Sequence, residues 1–527
     1  MAQNEAVVAQ VDELQDGEMR QVEVGGTEVL LSRVEGQYHA IGASCSHFGA
    51  PLVNGVLSGT RVICPWHHAC FSVVSGNLEE PPGIDSLPCF SVRIEGDDVI
   101  VAVPQDAPAK RQPDRVDRDA SDERVFAILG GGAAGAMAAE TLREDGFTGR
   151  IVLITREEDL PYDRTSLSKS YMAPGQNLSL LRDAEFFASC GIEIKSGSAV
   201  ARLDAGGRKL EFENGELLSY DALLVATGAA PRQLDLAGAD LEGIFSVRGP
   251  GDVNGIIAAA EVGKRVVVIG ASFIGLECAA ALRGNDLEVT VVAPENLPFE
   301  QVLGSEVGQL FKDAHEQNGV AFRLGTGVDS FVGADRVEKV KLLSGEELEA
   351  DLVVVGIGVQ PLSEVLEGVE KNPDGSVNVD EFLRVEGSDG SLYAAGDIAA
   401  FPDAVSGERI RVEHWRLAQQ HGRFAAHNMA GRQTPFDQVP FFWTRQFDVN
   451  LRYVGHVDDW DEVLVKGDVG GCDFLVYYLK GGHVRGVAGS GRDAEMCAIE
   501  EYMRLGKMPP LDDIRTDAVD WVAGLRH

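Results

Sequence analysis

Basic residues are scarce in this chain. Forty-six Lys and Arg face 83 Asp and Glu, a formal net charge of −37, so neither nucleic acid nor an anionic membrane suits it as a partner. No apolar run approaches the roughly 18 residues that a membrane-spanning helix needs. The opening segment is polar and has no apolar core of the signal-peptide kind. Cysteine is thin too: eight in 527 residues, without a secretory signal, predict a reducing compartment and thiols used as ligands or core residues. The expected setting is the cytoplasm. Hydrophobic residues make up 44% and aromatic residues 7%, ordinary for a globular protein, and at ~150 residues per domain the length predicts three or four domains.

The densest signal lies at residues 125–169. A buried-strand run at 125–129 meets Gly130, Gly132 and Gly135; an alanine-rich helix follows, then a second strand at 151–155 with Glu157 just beyond. One glycine makes the tight turn, one lets backbone approach a pyrophosphate, and one lets helix pack on strand. The bare helix N-terminus faces the anion. Charge is dense at Arg156, Glu157 and Glu158, so Glu157 is taken as the ribose acceptor by position alone.

A second unit of the same kind is inserted in the first. A strand at 266–269 meets Gly270, Ser272 and Gly275, an alanine-rich helix and a strand at 289–292. Ser272 replaces the middle glycine, which a backbone of ordinary φ tolerates at some loss of close approach. Glu295 follows the second strand, and no Arg or Lys lies from 289 to 306 to receive a 2′-phosphate. NADH is therefore expected over NADPH.

Residues 1–105 alternate in short segments broken by Gly and Asn, which predicts a small all-β domain. It holds Cys45-Ser46-His47 and, sixteen residues on, Cys64-Pro65-Trp66-His67. Two loops each offering a thiolate and an imidazole could hold zinc, or a 2Fe–2S cluster with two cysteines on one iron and two histidines on the other. The pair of motifs, with Gly49 and the CFSVVSG segment that follows, resembles the soluble Rieske ferredoxins. That resemblance implies metal ligation by Cys45, His47, Cys64 and His67. Respiratory Rieske proteins carry a further cysteine pair that braces the two ligand loops; Ala50 and Trp66 stand at those positions here. His68 is read as a loop histidine and not a ligand, and Cys70 and Cys89 as buried packing. Residues 106–123 are polar, proline-containing and charged on both signs, which predicts an exposed linker.

With Leu160-Pro161-Tyr162-Asp163-Arg164 and Leu167-Ser168-Lys169, the remainder resembles the flavoprotein pyridine-nucleotide reductases of the ferredoxin-reductase and apoptosis-inducing-factor group. The resemblance places Arg164 and Lys169 along FAD, with Lys169 near the reactive N5 edge, and pairs Lys169 with Glu277. It puts Val200 by the adenine, Thr227, Gly228 and Arg232 on the closing strand, and Asp397 on the ribityl chain. Trp415, in Glu413-His414-Trp415, lies by the pyrimidine edge of the flavin. Gly358 marks the nicotinamide stack, and the family's ribose acid falls at Ala293. Trp443 is read equally as an interface packing residue or a neighbour of the flavin. No C-x-x-x-x-C lies on the helix after the first glycines, so the redox disulfide of glutathione-reductase-type enzymes is missing; Cys190 and Cys278 read as core residues.

The expected architecture is a small all-β Rieske domain (1–105), a linker (106–123), two α/β Rossmann-like nucleotide-binding domains and a small α+β C-terminal domain (436–527). FAD falls to 124–249 and 361–435, and the nicotinamide nucleotide to 250–360. The implied activity is transfer from NADH through FAD to the 2Fe–2S cluster, then to an external one-electron acceptor such as an oxygenase component. Histidine-edge docking near the flavin is the expected route. Two rival classes are an NADH-responsive redox sensor and a structural zinc protein.

Overall fold

The computed structural model describes residues 3–526. Its N-terminal part is all antiparallel. A six-stranded sheet runs in the order Gln3–Gln10, Asp98–Pro104, Cys89–Glu95, Gln37–Gly42, Thr27–Val34, Met19–Val24. Beside it a four-stranded sheet, Val56–Ser58, Arg61–Ile63, Cys70–Ser72 and Leu78–Glu80, carries the second cysteine–histidine loop between its second and third strands.

The next sheet is parallel, in the order Ile192–Lys195, Arg150–Ile154, Val125–Leu129, Ala222–Val225, Leu392–Ala394. The edge strand Ile192–Lys195 carries Glu193 and Lys195 half-buried, while the other four strands are mostly Val, Ile, Leu and Ala buried on both faces, as parallel sheets require. The last strand comes from far down the chain because a second parallel sheet is inserted. That sheet runs Ile244–Phe245, Leu352–Val355, Arg265–Ile269, Glu288–Ala293, Ala321–Leu324. Its first strand lies ahead of residue 250. A two-residue edge strand carries no readable periodicity.

Four helices matter below: α1 (Ala133–Glu144), α2 (Phe273–Gly284), α3 (Trp415–Met429) and α4 (Asp493–Arg504). The α1 helix packs on α3 so closely that a Cβ on Gly422 would lie 2.0 Å from the Ala134 carbonyl. The C-terminal part is a five-stranded antiparallel sheet, Phe441–Gln446, Val449–Gly455, His483–Ser490, Asp473–Lys480, Glu462–Asp468, followed by α4.

One expectation needs correcting. Cys89 is exposed, its thiol donating to Val74 O at 3.3 Å, because it opens a strand on the outer face of its sheet. The segment 106–123 is largely exposed and is bonded to its neighbours at several points. Arg111 exchanges backbone bonds with Ser86, Val116 N donates to Arg143 O at 3.1 Å, and Asp119 N donates to Thr148 O at 2.9 Å.

Candidate functional site

Both glycine turns are built alike. Gly130 sits at φ 124°, where a Cβ would fall 2.1 Å from the Ala226 carbonyl; Gly270 sits at φ 101°, 2.3 Å from the Gly356 carbonyl. Gly135 and Gly275 lie against the carbonyls of Gly130 and Gly270, within 1.8 and 2.3 Å of an added Cβ. Each turn is thus a cradle that any side chain at those positions would fill. Ser272 has ordinary backbone, φ −76°. Its hydroxyl accepts from Gly275 N at 3.2 Å and donates to Gly356 O at 2.7 Å. Glu295 is exposed beyond the second strand.

Around the first turn, Glu157 accepts from Arg164 at 2.6 Å and from the Tyr162 hydroxyl at 2.7 Å. Val200 opens a strand, Val200–Asp204. Thr227 Oγ1 donates to Leu362 O at 2.5 Å. Arg232 exchanges with the strand end at Gly358, its backbone N 3.0 Å from Gly358 O and its Nε 3.0 Å from Val359 O. Asp397 opens a short turn of helix, 3.7 Å from Arg248. Trp415 begins α3, and the preceding His414 stacks on Phe442 with centroids 4.5 Å apart. Burial holds the His414 imidazole down to about 3, and the nearby His456 adds to this.

Lys169 Nζ lies 2.6 Å from Glu277 Oε2. The carboxylate is saturated: Ser168 Oγ donates to Oε2 at 2.6 Å and Thr444 Oγ1 to Oε1 at 2.7 Å. Glu277 is buried at 5% exposure, so three donors offset the cost of sinking its charge. Lys169 comes from the first nucleotide domain, Glu277 from α2 in the second, and Thr444 from the C-terminal sheet.

The four Rieske-type residues converge. The Cys45 and Cys64 thiols are in hydrogen-bonding contact, and the His47 and His67 rings lie 4.9 Å apart, edge to face. Burial holds His47 down to about 4. Burial, with the charges of His47, Arg452 and Lys169 among others, holds His67 to about 2. Both imidazoles are therefore neutral, the state a metal ligand needs. His47 Nδ1 is buried with no hydrogen-bond partner. Thiols paired with thiols and rings with rings suit a two-iron cluster, and an orphaned ring nitrogen suits a ligand atom.

The strand Phe441–Gln446 joins these two centres. Its side chains alternate between faces, as strands dictate. On one face Trp443 lies 4.4 Å from the His67 ring and 6.3 Å from His47, while Phe441 stacks on His68 at 3.9 Å. On the other, Phe442 stacks on His414, and Thr444 holds Glu277.

Several residues here escaped the sequence. Arg248 left no motif. Ser168 stood inside a recognised segment without a role. Thr444 is one hydroxyl following three aromatic residues, and nothing in the sequence gives it a role. His68 is fully buried against Glu500, which Arg416 also holds at 2.7 Å. Burial raises Glu500, and Arg416 with His68 overrules it, holding the carboxyl at about 2. One signal was readable: Arg416, Gln420 and Arg423 stand at i, i+4, i+7 on α3, and all three reach the N-terminal domain.

Known proteins share this arrangement. The family described as pyridine nucleotide-disulphide oxidoreductase matches residues 125–422, the Rieske 2Fe–2S domain matches 4–91, and the reductase C-terminal domain matches 441–522. The human protein named Apoptosis-inducing factor 3 is 38% identical over 514 residues, 95% of this chain and 84% of its own. The 5,5'-dehydrodivanillate O-demethylase ferredoxin reductase subunit of Sphingobium sp. strain SYK-6 is 36% identical over 363 residues, 68% of this chain and 87% of its own. A ferredoxin reductase from Rhodopseudomonas palustris, solved by crystallography, superposes with a TM-score of 0.72 at 32% identity, covering 76% of this chain and 100% of its own.

Proposed function

The chain belongs to the pyridine nucleotide-disulphide oxidoreductase family, with a Rieske domain ahead of the reductase, and from that membership we propose an NADH-dependent reductase that feeds its own cluster and then an external one-electron acceptor. Its cofactors are FAD, NAD(P)H and a 2Fe–2S cluster. When bound, the flavin supplies the exchange between two-electron hydride chemistry and the one-electron chemistry of the cluster. The protein's part is to position and to charge. Glycine turns hold the nucleotides, Arg164, Thr227, Gly228, Arg232, Asp397 and Trp415 line the FAD site, and Lys169 is held by Glu277 where the nicotinamide and flavin meet. The Lys169 ammonium would stabilise negative charge developing there.

The single observation carrying the route is the strand Phe441–Gln446, with Trp443 on His67 and its neighbour Thr444 on the Glu277–Lys169 pair. Preference for NADH rests on Glu295 and on the lack of a basic residue near Ala293. As the acceptor we favour an oxygenase component or the ferredoxin serving it, since the Sphingobium relative is named as a ferredoxin reductase subunit of an O-demethylase.

Anaerobic stopped-flow mixing with NADH, following flavin bleaching and cluster reduction at separate wavelengths, tests this. Cluster reduction should be independent of protein concentration. A rate proportional to concentration would mean transfer between molecules, and no cluster reduction would end the reading. A second reading, an NADH-responsive sensor, draws on the relative that matches across both halves and is named for apoptosis. It requires a long-lived reduced complex and slow turnover with one-electron acceptors.

A further inference from the structure

The two ligand loops are held by different halves of the molecule. Residues 45–50 close on themselves, Cys45 N donating to Ala50 O and Gly49 N to Cys45 O, both at 2.9 Å. Ser46 Oγ adds a bond to Asp85 O at 2.6 Å within the same domain. Residues 64–69 also close locally, Cys64 N to Ala69 O at 2.8 Å, but other carbonyls of this loop are taken from outside the domain. Trp66 O accepts from Arg452 Nε at 3.0 Å, His68 O from Arg416 Nη2 at 3.0 Å, and Cys64 O from the Cys497 thiol at 3.4 Å. Glu500 binds the His68 ring and Arg416 together. These partners come from α3, the strand Val449–Gly455 and α4, and all are buried, with Arg416 at 2% exposure and Arg452 at 3%.

Burying guanidinium groups is costly unless their hydrogen bonds are met; here each gives one bond to a carbonyl of the short ligand loop, and Pro81 O, Glu500 and Asp493 take others. Elsewhere in the same interface the contacts fall on a strand: Arg423 takes Leu78 O and Gln420 takes Glu80. No disulfide ties the two loops, since Ala50 and Trp66 occupy the bracing positions and all eight cysteines are free.

We propose, resting on the reading that a 2Fe–2S cluster is bound here, that Arg452, Arg416 and Glu500 are positioning residues for the Cys64–His67 ligand pair. The reductase half supplies the brace that a loop-to-loop disulfide would otherwise provide. The same contacts that shape the second ligand pair therefore also fix His67 against Trp443. Arg452 Nε lies 3.0 Å from Trp66 O inside the ligand loop, while its Nη1 pairs with Asp493 at 2.6 Å; the positive charge it brings beside the cluster favours the reduced form, which carries one more negative charge.

The test uses the full chain, with iron and sulfide analysis, electron paramagnetic resonance of the reduced cluster and a redox titration. Arg452→Met should retain iron and sulfide, move the g values, and shift the reduced-to-oxidised ratio about tenfold toward oxidised at fixed potential, about 59 mV for a one-electron couple. Arg452→Lys, which keeps the charge, should recover most of that shift. Glu500→Gln, close to isosteric, should move the g values and carries the test should Arg452→Met fail to fold. Arg423→Met, which loses an interface bond away from the ligand loop, should leave signal and potential as in the parent. Parent-like g values and potential in Arg452→Met and Glu500→Gln would overturn the brace, and so would an equal shift in Arg423→Met. A parent chain without iron and sulfide would instead sink the cluster reading, and this inference with it.

Discussion

The two nucleotide units share a turn and differ in what surrounds it. Both start on a glycine in left-handed backbone whose Cβ would strike a carbonyl, at Gly130 and at Gly270. Their third glycines also press on those turns, an added Cβ falling 1.8 Å and 2.3 Å from the first glycine's carbonyl. The difference begins at the middle position. Gly132, at φ −80°, has nothing within 4 Å of a would-be Cβ, and Ser272, at φ −76°, carries a hydroxyl that caps its own helix. It widens along the helices. Residues 133–143 of α1 are buried on every side, whereas Ile274 on α2 is 46% exposed. The turns themselves do not differ in that sense, Gly270 and Ala271 being buried and Gly130 to Gly132 half-buried; it is the helix behind the first turn that is enclosed and the helix behind the second that meets solvent. The proposed assignment puts the flavin on the unit with the enclosed helix and the nicotinamide nucleotide on the unit with the open one.

Breaking each turn in the same way gives the largest expected effects. Gly130→Ala forces an alanine into left-handed backbone against Ala226 O, a strain of about 1–3 kcal/mol or more, in the unit that must hold FAD. The variant should be purified without flavin. Gly270→Ala makes the matching error in the second unit, and should keep its flavin while losing reduction by NADH. Absorbance at the flavin band and anaerobic NADH titration separate the two. Equal flavin content in both variants would erase the contrast between the units.

Next in size is the pair that ties the units together. Lys169→Ala should retain FAD, because Glu277 keeps Ser168 and Thr444 as donors. Flavin reduction by NADH should slow about a hundredfold, the scale of removing one stabilising donor from a reacting centre. A parent-like rate in single-turnover mixing would remove Lys169 from the chemistry.

How far the sequence carried this far depends on what kind of order each feature needs. Glycine turns, buried strand runs and the two Cys–His motifs are local; spacing narrowed the motifs to zinc or a 2Fe–2S cluster, and the resemblance to Rieske ferredoxins chose between them. Lys169 and Glu277 lie 108 positions apart and were paired by resemblance; the buried member is Glu277, while the Lys169 side chain stays 31% exposed. Thr444 had no such pairing to mark it. The interface was least legible. A polar, mixed-charge linker suggests a loose tether, but docking is decided by Arg416, Arg452 and Glu500, single charges scattered through helices and strands. Arg416 at least stands in a polar row along α3, but for Arg452 and Glu500 only burial, at 3% and 6% exposure, reveals that they face another domain. His68 shows the same limit: adjacency to a ligand says where it does not point, and nothing about Glu500.

Nucleotide choice sharpens the second unit alone. Glu295→Arg replaces an exposed carboxylate with a cation beyond the strand Glu288–Ala293. The ratio of kcat/KM for NADH over NADPH should fall about tenfold, about 1.4 kcal/mol, with flavin content unchanged. An unaltered ratio would move recognition of the ribose elsewhere on the unit.

The smallest effect is the most informative about the middle position. Ser272→Gly deletes a hydroxyl that caps Gly275 N and donates to Gly356 O. Exchanging a serine cap for glycine costs only a few tenths of a kcal/mol, because backbone and water satisfy the helix end. Against that loss, glycine lets the nucleotide pyrophosphate approach the backbone more closely. The two effects oppose each other, so KM for NADH should move by no more than about twofold, with kcat as in the parent. The reciprocal change, Gly132→Ser, enters open space in ordinary backbone, so it should fold. Its hydroxyl would then stand where the first unit brings a pyrophosphate near, and flavin retention should weaken visibly on dilution. If Ser272→Gly instead raised KM tenfold, the hydroxyl would be contacting the nucleotide itself. The middle position would then be a recognition site in the second unit and mere clearance in the first.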